Sequence, residues 1–510
     1  MKSGKAGNSF MQGVAWLGLS TVIVKLIGVC YKIPLVRLLG TQGMGYFNAA
    51  YDVYALLCLI STTGLPVAVS AMLNRPRARQ SAIFRVSLIS FLVLGVLGSG
   101  AVILLADPIA AAIGAPLAAD SLRTISPALL FISLSSAFRG YFQGKGDMRP
   151  TALSQVIEAL FKLLLGLALS YLALRAGLPA HRAAACAVLG LSIATLLCTL
   201  YLFVMKKRQY DPPEQEPTCF AGVFREMVFL ALPITLGAAL SGASKMLDLS
   251  LVMRRLQDAG LSQQSAVSLY GAYSAMAIPL FGAVPALLGS LAMPLIPHLT
   301  RAIAQQDPAQ QKRLLSLSFR LTALISVPSS IGMSLLSYQI LALLYGARAQ
   351  EAPQAVPMLI LLCMAVPASC MITTTSAILQ AYGKPWIPML SMGLGCALKA
   401  LILYALTAMP QIGILSAPIS TWLCCTVAVT VNMAAIVYLT PARGWGSSFF
   451  GAIAASALAI GSSAAIKRFF LSNLPLSATV AIIVPVAVVL FVPLAFALGL
   501  VKKDDIKSIK

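Results

Sequence analysis

The sequence predicts an all-α polytopic membrane protein of fourteen transmembrane helices, built as two parallel six-helix lobes plus a C-terminal helix pair. Three observations predict this fold class. Hydrophobic residues make up 59% of the 510 residues and charged residues only 10%, against roughly 25% in soluble domains. Apolar runs of membrane-spanning length recur along the whole chain. A polar stretch in the first half has a shortened echo in the second half.

Composition places most of the chain in lipid. The mean hydropathy is +0.88, and a single soluble core stops growing at about 250–300 residues, so a soluble fold would not bury this much apolar surface. The ten cysteines lie mostly in apolar runs, and neither they nor the two histidines, His181 and His298, show metal-ligand spacing. We therefore expect no metal site and no cofactor beyond a coupling cation, Na⁺ or H⁺.

The N-terminal segment has a basic start followed by an apolar stretch, as a signal peptide does. However, Lys25 interrupts the apolar stretch, no A-x-A-like cleavage site follows it, and a further apolar run comes soon after. The segment is therefore interpreted as an uncleaved first membrane helix.

Fourteen segments have the length and apolar character of a spanning helix, for which about 20 residues are needed. Their predicted limits are 12–36, 46–70, 83–106, 122–142, 152–174, 182–205, 226–253, 268–294, 314–337, 353–378, 386–409, 412–439, 447–470 and 476–501.

The positive charge follows the loops and indicates the orientation of the chain. The formal charge is +22, and one alternate set of loops holds most of the basic residues, as at 75–79, 206–208 and 502–510. This is the positive-inside pattern rather than a nucleic-acid-binding groove, so no nucleic-acid partner is expected. With an even number of helices, both termini are predicted to be cytoplasmic.

The polar stretch RGYFQGKGDMRPTALSQVIE, residues 139–158, is echoed by LQAYGKPWIPML, residues 379–390. Gln143 corresponds to Gln380, Pro150 to Pro388, and Lys162 to Lys399, at an offset of about 237 residues. Six predicted helices fit in that interval, and an even number preserves orientation, so the halves are predicted to be parallel repeats.

The repeat divides the chain into four parts. Residues 1–208 form the N-lobe with helices 1–6, and 226–440 form the C-lobe with helices 7–12. Residues 209–225 are a proline-containing cytoplasmic linker, and 441–510 hold helices 13–14 and a cytoplasmic tail. Two lobes of this kind enclose a cleft that rocking exposes to each side of the membrane in turn.

The repeated stretches are candidates for an inner gate. Two glycines permit a tight reversal, and Pro150 suits the first turn of the next helix. The alternative is that these turns only set helix packing. The candidate gate or hinge residues are Arg139, Gln143, Gly144, Gly146, Pro150, Gln380 and Pro388.

Ionisable residues inside the predicted spans are functional-site candidates, because each costs roughly 2.5–3.5 kcal/mol at mid-bilayer. Lys25 and Lys32 are seven residues apart on helix 1, so they share a face about 10 Å apart, with Gly28 between them. Asp52 on helix 2 is expected near the depth of Lys32, where the two would pair.

Further charges lie on helices 5, 7 and 11. Glu158 and Lys162 are spaced for an intrahelical pair. Helix 7 carries Lys245 and Asp248, followed by Arg254 and Arg255, which would otherwise snorkel to the interface. Lys399 has no acidic residue within one turn. If these groups face one cavity, its net charge is positive and it binds an anion; if each has its own protein partner, they are structural.

Two segments carry a resemblance to a known family: VKLIGVCYKIPLVRLLGTQGMGYFNAAYDVYALLCLISTTGLPVAVSAML and SSAFRGYFQGKGDMRPTALSQVIEALFKLLL. Together they resemble the polysaccharide-exporter branch of the multidrug/oligosaccharidyl-lipid/polysaccharide (MOP) flippase superfamily, the branch of the stage V sporulation protein B and MurJ-type lipid II flippases. The resemblance extends over essentially the whole chain.

The resemblance implies a fourteen-helix flippase with a MATE/MurJ-like fold in the bacterial plasma membrane. Its expected substrate is an undecaprenyl-pyrophosphate-linked sugar, above all lipid II, moved outward for cell-wall or spore-cortex synthesis. The family places basic residues of helix 1 in a central cationic cavity, and Lys25 and Lys32 match that pattern. We expect the lipid tail in a groove made with helices 13 and 14. Membrane lipids and cell-wall synthesis proteins are expected partners of a monomer.

The match has two departures from the family pattern. The Gram-negative members have an acidic residue early in helix 2 and an arginine in helix 8. In this sequence Gly45 stands near the first position, and predicted helix 8 has no arginine. The expected substrate-binding residues are therefore Lys25, Lys32, Lys162, Lys245, Arg254, Arg255 and Lys399, with Asp52, Glu158 and Asp248 for ion coupling or pairing.

Two other functions are alternatives. A cation-coupled multidrug exporter of the same superfamily would prefer an acidic, aromatic-lined cavity and twelve helices. A membrane enzyme acting on lipid-linked sugars would need large outer loops or an outer catalytic acid, and Asp107, Asp120 and Glu351 form no evident constellation. No phosphate-binding P-loop motif is present, so ATP is not expected to drive transport directly.

Overall fold

The computed structural model describes residues 2–73, 80–209, 220–292, 295–346 and 352–440. Within these ranges the chain forms helices joined by turns and short loops, and no β-strand occurs. The α-helices are α1 Lys2–Leu59, α2 Leu65–Leu73, α3 Gln80–Leu104, α4 Ala106–Ile113, α5 Ala119–Gly144, α6 Arg149–Arg175, α7 Ala180–Lys207, α8 Phe220–Leu247, α9 Met253–Asp258, α10 Gln263–Ala272, α11 Ile278–Ala292, α12 Leu295–Ala304, α13 Pro308–Leu335, α14 Ser337–Tyr345, α15 Ala352–Ala381, α16 Trp386–Leu406 and α17 Ser416–Leu439.

Ten helical segments of the described chain are long and apolar enough to cross a membrane. The first, Leu19–Leu73, includes most of the first predicted span and all of the second, because α1 is divided only by the non-helical residue Gly40 (φ 68°). The predicted span 226–253 corresponds to α8 and the turn after it. The predicted spans 447–470 and 476–501 lie outside the described residues. The polytopic helical fold is confirmed, and the count of fourteen stays a prediction.

The chain divides into two compact units. The first comprises Met1–Gln257 and Leu261–Gly271, and the second Asp258–Gly260 and Ala272–Lys510. Helix α8, which the sequence placed at the start of the C-lobe, packs against α1, α2 and α3 of the first unit. The lobe boundaries drawn from the repeat stay a prediction.

The core of the first unit joins α2, α3, α5, α7 and α8. Phe91, Tyr141 and Phe142 are fully or almost fully buried there, and Met227 and Ala231 of α8 belong to the same cluster. Side-chain interdigitation of this kind holds membrane helices together, because lipid supplies little hydrophobic driving force between them.

The core of the second unit combines apolar packing with buried hydrogen bonds. Phe319 of α13 packs with Ile378 of α15 and Ile436 of α17. In the same unit, the buried Asn432 accepts from the Ser391 hydroxyl at 2.8 Å and donates to the Thr375 hydroxyl at 3.1 Å. Because these three residues lie on α17, α16 and α15, the amide ties three helices together.

The two turns that the predicted repeat pairs end their helices with the same backbone hydrogen bonds. After α5, the N–H of Gly146 donates to the Gln143 carbonyl and that of Asp147 to the Phe142 carbonyl, both at 3.0 Å. After α15, residues 383 and 384 make the same bonds to 380 and 379, at 3.0 and 2.9 Å. This is the Schellman arrangement for ending a helix, and it requires a left-handed residue. Gly146 has φ 78° and Gly383 has φ 71°, at an offset of 237 residues.

We predict that Gly146→Ala and Gly383→Ala each lower the free energy of unfolding by about 1 kcal/mol, because a Cβ is strained at positive φ. Gly98→Ala is the matched control: Gly98 lies inside α3 with open space around it, and alanine should be neutral or stabilising there. Equilibrium unfolding of the purified variants in mixed detergent micelles measures all three. Equal changes in the free energy of unfolding at all three positions would contradict the left-handed conformation assigned to Gly146 and Gly383.

Candidate functional site

Five charged side chains of the first unit interact electrostatically and are called here the charge cluster. They are Lys32, Asp52, Lys162, Lys245 and Asp248. Lys32 interacts with Asp52, Lys162 and Lys245, and Asp52 also interacts with Lys245 and Asp248. The structure thus brings together charges that the sequence could only place on separate helices.

The break at Gly40 is what allows α1 to supply two members of the cluster. Lys32 precedes Gly40 by eight residues and Asp52 follows it by twelve. A straight helix would separate the two by about 30 Å. Their electrostatic interaction therefore depends on the chain changing direction at this residue.

Asp52 is held by a tyrosine of α10. The Tyr270 hydroxyl donates a hydrogen bond to Asp52 Oδ2 at 2.9 Å. Helix α10 lies directly on α1, since a Cβ added at Gly45 would overlap the Val267 carbonyl. The position at which the family resemblance suggested an acidic residue is thus filled by close helix packing.

Lys162 lies against two tyrosines of α1. Its ammonium nitrogen is 4.5 Å from the ring centroid of Tyr51 and 5.3 Å from that of Tyr31, and it donates to the Tyr51 hydroxyl at 3.4 Å. Ring faces attract a cation without neutralising it. Lys162 is half-buried, so these contacts present a positive charge rather than cancel it.

Glu158 pairs with Arg139 of α5, so the predicted intrahelical pair with Lys162 is replaced by a pair between two helices. Arg139 Nη2 lies 2.8 Å from Glu158 Oε2, and Arg139 Nε donates to the Ser154 hydroxyl at 3.0 Å. A guanidinium matches a carboxylate and further acceptors better than an ammonium does. Because Arg139 occupies Glu158, the charge of Lys162 remains available to the cluster.

The charge cluster has a surplus of positive charge. Three lysines face two aspartates, so its formal charge is +1. Lys32, Asp52 and Lys162 are half-buried, Lys245 is exposed, and Asp248 is 6% exposed. Asp248 begins a π-helical turn, Asp248–Val252, and such turns often mark functional sites. The arrangement is suited to holding an anion.

The other four predicted basic residues differ in their exposure. Lys25 and Arg254 are exposed, and Arg255 is half-buried. Lys399 is 2% exposed in the second unit and lies near the buried Cys424 and Cys425. Of the seven predicted basic residues, Lys32, Lys162 and Lys245 are those whose interactions within the charge cluster are described above.

The candidate gate residues divide between helix and turn. Arg139 and Gln143 lie within α5, and Gly144 ends it, so the predicted polar loop shrinks to residues 145–148. A Cβ at Gly144 would crowd Leu73 and Ser70, which makes Gly144 a packing residue and leaves the reversal to Gly146. Pro150 lies in the first turn of α6, as expected. Gln380 is exposed near the end of α15, and the half-buried Pro388 lies in the first turn of α16.

The sequence reasoning missed the tyrosines that support the charges. Phe47 stacks on Tyr51 with centroids 5.8 Å apart and an interplanar angle of 11°, and Tyr51 lies 6.0 Å from Tyr54. The spacing of these rings at positions 47, 51 and 54 was the available signal, because it places them on one helix face.

Two of the three acidic residues considered for an enzyme, Asp107 and Asp120, lie beside the same arginine, Arg123. Arg123 contacts Asp107 and lies 3.9 Å from Asp120, which lies 3.9 Å from His181 Nε2. Glu351 lies outside the described residues. Among the described residues, no group of three or more His, Cys, Asp or Glu side chains could hold a metal ion.

Two family models match the chain. The model described as polysaccharide biosynthesis protein matches residues 10–303, and the model described as MatE matches residues 233–405. Stage V sporulation protein B of Bacillus subtilis (strain 168) is 23% identical over 521 residues, covering 99% of this chain and 98% of the relative.

Two solved structures share the fold. The lipid II flippase MurJ in its inward closed conformation has a TM-score of 0.74 at 14% identity, covering 94% of this chain and 97% of that one. A multidrug resistance MATE family transporter of the MOP superfamily in its inward-facing conformation has a TM-score of 0.68 at 15% identity, covering 84% and 98%.

We predict that Glu158→Leu and Arg139→Met each destabilise the protein by about 3 kcal/mol, because each leaves one partner of a largely buried ion pair uncompensated. The double variant Arg139→Met/Glu158→Leu should recover much of this loss, since apolar replacement of both partners is often neutral. A double-mutant cycle from equilibrium unfolding measures the coupling, and additive losses would contradict the pairing.

Proposed function

Because the chain belongs to the polysaccharide biosynthesis protein family, in the MOP flippase superfamily, we propose that it moves an undecaprenyl-pyrophosphate-linked sugar between leaflets of the bacterial plasma membrane. Lipid II is the substrate we infer, carried from the inner to the outer leaflet for cell-wall or spore-cortex synthesis. The family membership makes the chain a multi-pass membrane transporter; the substrate and its direction are the proposal.

The observation that carries this proposal is the positive surplus of the charge cluster inside a membrane-spanning unit. Charged groups within the bilayer are costly and mark transport pathways in general. A pyrophosphate ester supplies the opposite charge, and lysines bind phosphates as mobile point charges. The surplus is small, because Asp52 and Asp248 offset two of the three lysines. Binding is therefore modest and reversible, as release on the far side requires.

Each residue of the cluster has a separate role in this mechanism. Lys32 and Lys162 bind the pyrophosphate, with Lys162 presented by the Tyr51 and Tyr31 rings. Lys245 supplies charge from α8. Asp52 and Asp248 are the candidate coupling residues for Na⁺ or H⁺, because Glu158 is engaged by Arg139. Rocking of the two lobes about the repeated turns then exposes the head group to the outer side.

A multidrug exporter is the second candidate, since the MatE model matches residues 233–405. The two substrates differ in charge: cationic drugs favour an acidic site, whereas the cluster described above has a surplus of lysine. Drug susceptibility of cells that overproduce the protein distinguishes the two, and a broad rise in resistance to cationic drugs would favour the exporter.

We predict that Lys32→Gln lowers translocation of a fluorescent lipid-linked sugar in proteoliposomes at least tenfold, because one of three binding cations is lost. Lys32→Gln/Lys162→Gln should abolish it, because both lysines assigned to the pyrophosphate are then lost. Lys312→Gln is the matched control, since Lys312 is exposed at the start of α13. Undiminished translocation by a well-folded Lys32→Gln variant would count against the site.

We also expect the gene to restore growth and outer-leaflet lipid II when the native lipid II flippase of a bacterial host is depleted. The Lys32→Gln variant, produced at the same membrane level, should fail to restore either. Growth without any change in outer-leaflet lipid II would assign the protein a different lipid-linked sugar.

A further inference from the structure

An apolar groove lies on the first unit, between the π-helical turn that follows α1, Ile60–Gly64, and helices α2, α3 and α8. Its volume is about 440 Å³, within the range of small-ligand sites. Its wall on α3 includes Ile89 and Val93, its wall on α8 includes Phe224 and Leu232, and Ile60 and Leu65 close one side.

The groove has a packed floor and an open mouth. Met227 and Ala231 of α8 form the floor, and Met227 Sδ lies 3.7 Å from the Ser87 hydroxyl of α3. At the mouth, Ile89 is 48% exposed, Val93 50% and Leu232 53%. In a membrane protein an exposed apolar mouth opens to hydrocarbon, so the occupant is a lipid chain rather than a water-soluble ligand.

Two of the helical segments that line the groove also carry residues of the charge cluster. Ile60 of the groove follows Asp52 by eight residues, which is about 12 Å of helix. Thr235 of the groove precedes Lys245 by ten residues, which is about 15 Å of helix. Helix α8 is held tightly against this part of the chain, because a Cβ at Gly64 would overlap the Ala231 carbonyl and the Thr235 hydroxyl.

An apolar groove that lies about 12–15 Å along the helices from a cationic site fits an amphiphile with a charged head and a single long chain. We propose that the groove binds the polyprenyl chain of the lipid-linked substrate while its pyrophosphate lies at the charge cluster. This inference rests on the proposed function and names a tail site distinct from a groove formed with residues 447–501. In a polyprenyl pyrophosphate the hydrocarbon begins at the phosphate itself, so one continuous chain leads from the cluster to the groove.

The first experiment fills the groove and compares two chain lengths. Val93→Trp/Leu232→Trp places two large side chains in the groove, and Leu172→Trp/Val204→Trp is the control at exposed positions of α6 and α7. In proteoliposomes the filled variant should move an undecaprenyl-linked sugar pyrophosphate at least tenfold more slowly than the control. It should move the geranyl-linked analogue at the control rate, because that short chain does not need the groove.

The other outcomes of this experiment overturn the inference. Unchanged transport of both substrates means that the groove holds no substrate chain. Equal loss for both means that the tryptophans impede the transport cycle or the fold. If the wild-type protein moves neither substrate, the proposed function fails. Whether the groove binds a polyprenyl chain is then tested by the photocrosslinking experiment below.

The second experiment measures occupancy without transport. A photoactivatable undecaprenyl phosphate and a photoactivatable phosphatidylglycerol are each crosslinked to the wild-type protein in vesicles, and the labelled peptides are identified by mass spectrometry. The proposal expects at least fivefold more labelling of 89–97 and 224–232 by the polyprenyl probe, lost in the filled variant. Equal labelling by both probes, or labelling by neither because another part of the chain covers the groove, would overturn it.

Discussion

The cost of an ionised lysine in hydrocarbon, roughly 2.5–3.5 kcal/mol on insertion scales, is the constraint on which the arrangement of the first unit depends. The protein meets it in two ways. Arg139 of α5 pairs with Glu158 of α6 and donates a hydrogen bond to Ser154 of the same helix. The two charges neutralise each other and hold the two helices together. Lys32 and Lys245 instead share Asp52, and Lys162 lies against two tyrosine rings. This arrangement leaves a positive charge for a ligand.

The fold was largely predictable, because in lipid a backbone must satisfy its own hydrogen bonds and long apolar helices are the usual solution. The parallel repeat stays a prediction. The structure adds that the turn after α5 and the turn after α15 both contain a left-handed glycine, Gly146 and Gly383, 237 residues apart. The contacts of the site were less accessible. Helical spacing suggested Lys162 as the partner of Glu158, but guanidinium geometry across a helix–helix contact favoured Arg139.

Two lysines that the predicted repeat pairs have different surroundings. Lys162 and Lys399 correspond at the same offset, yet one is half-buried against tyrosine rings and the other is 2% exposed beside cysteines. The sequence correspondence predicted the same role for both lysines. In the structure only Lys162, in the first unit, is partly exposed, whereas Lys399 is buried. The tyrosines of α1 make that difference, and their significance emerges only when α6 is placed against them.

Gly40 links this electrostatic arrangement to a single backbone torsion. Its φ of 68° turns one long apolar stretch into two segments that face each other, so a residue with no side chain decides whether Lys32 meets Asp52. The ligand preference of such a protein can thus drift without any charged residue being replaced. Among homologues, the identity of the residue at this corner should covary with the charge pattern of the helices on either side.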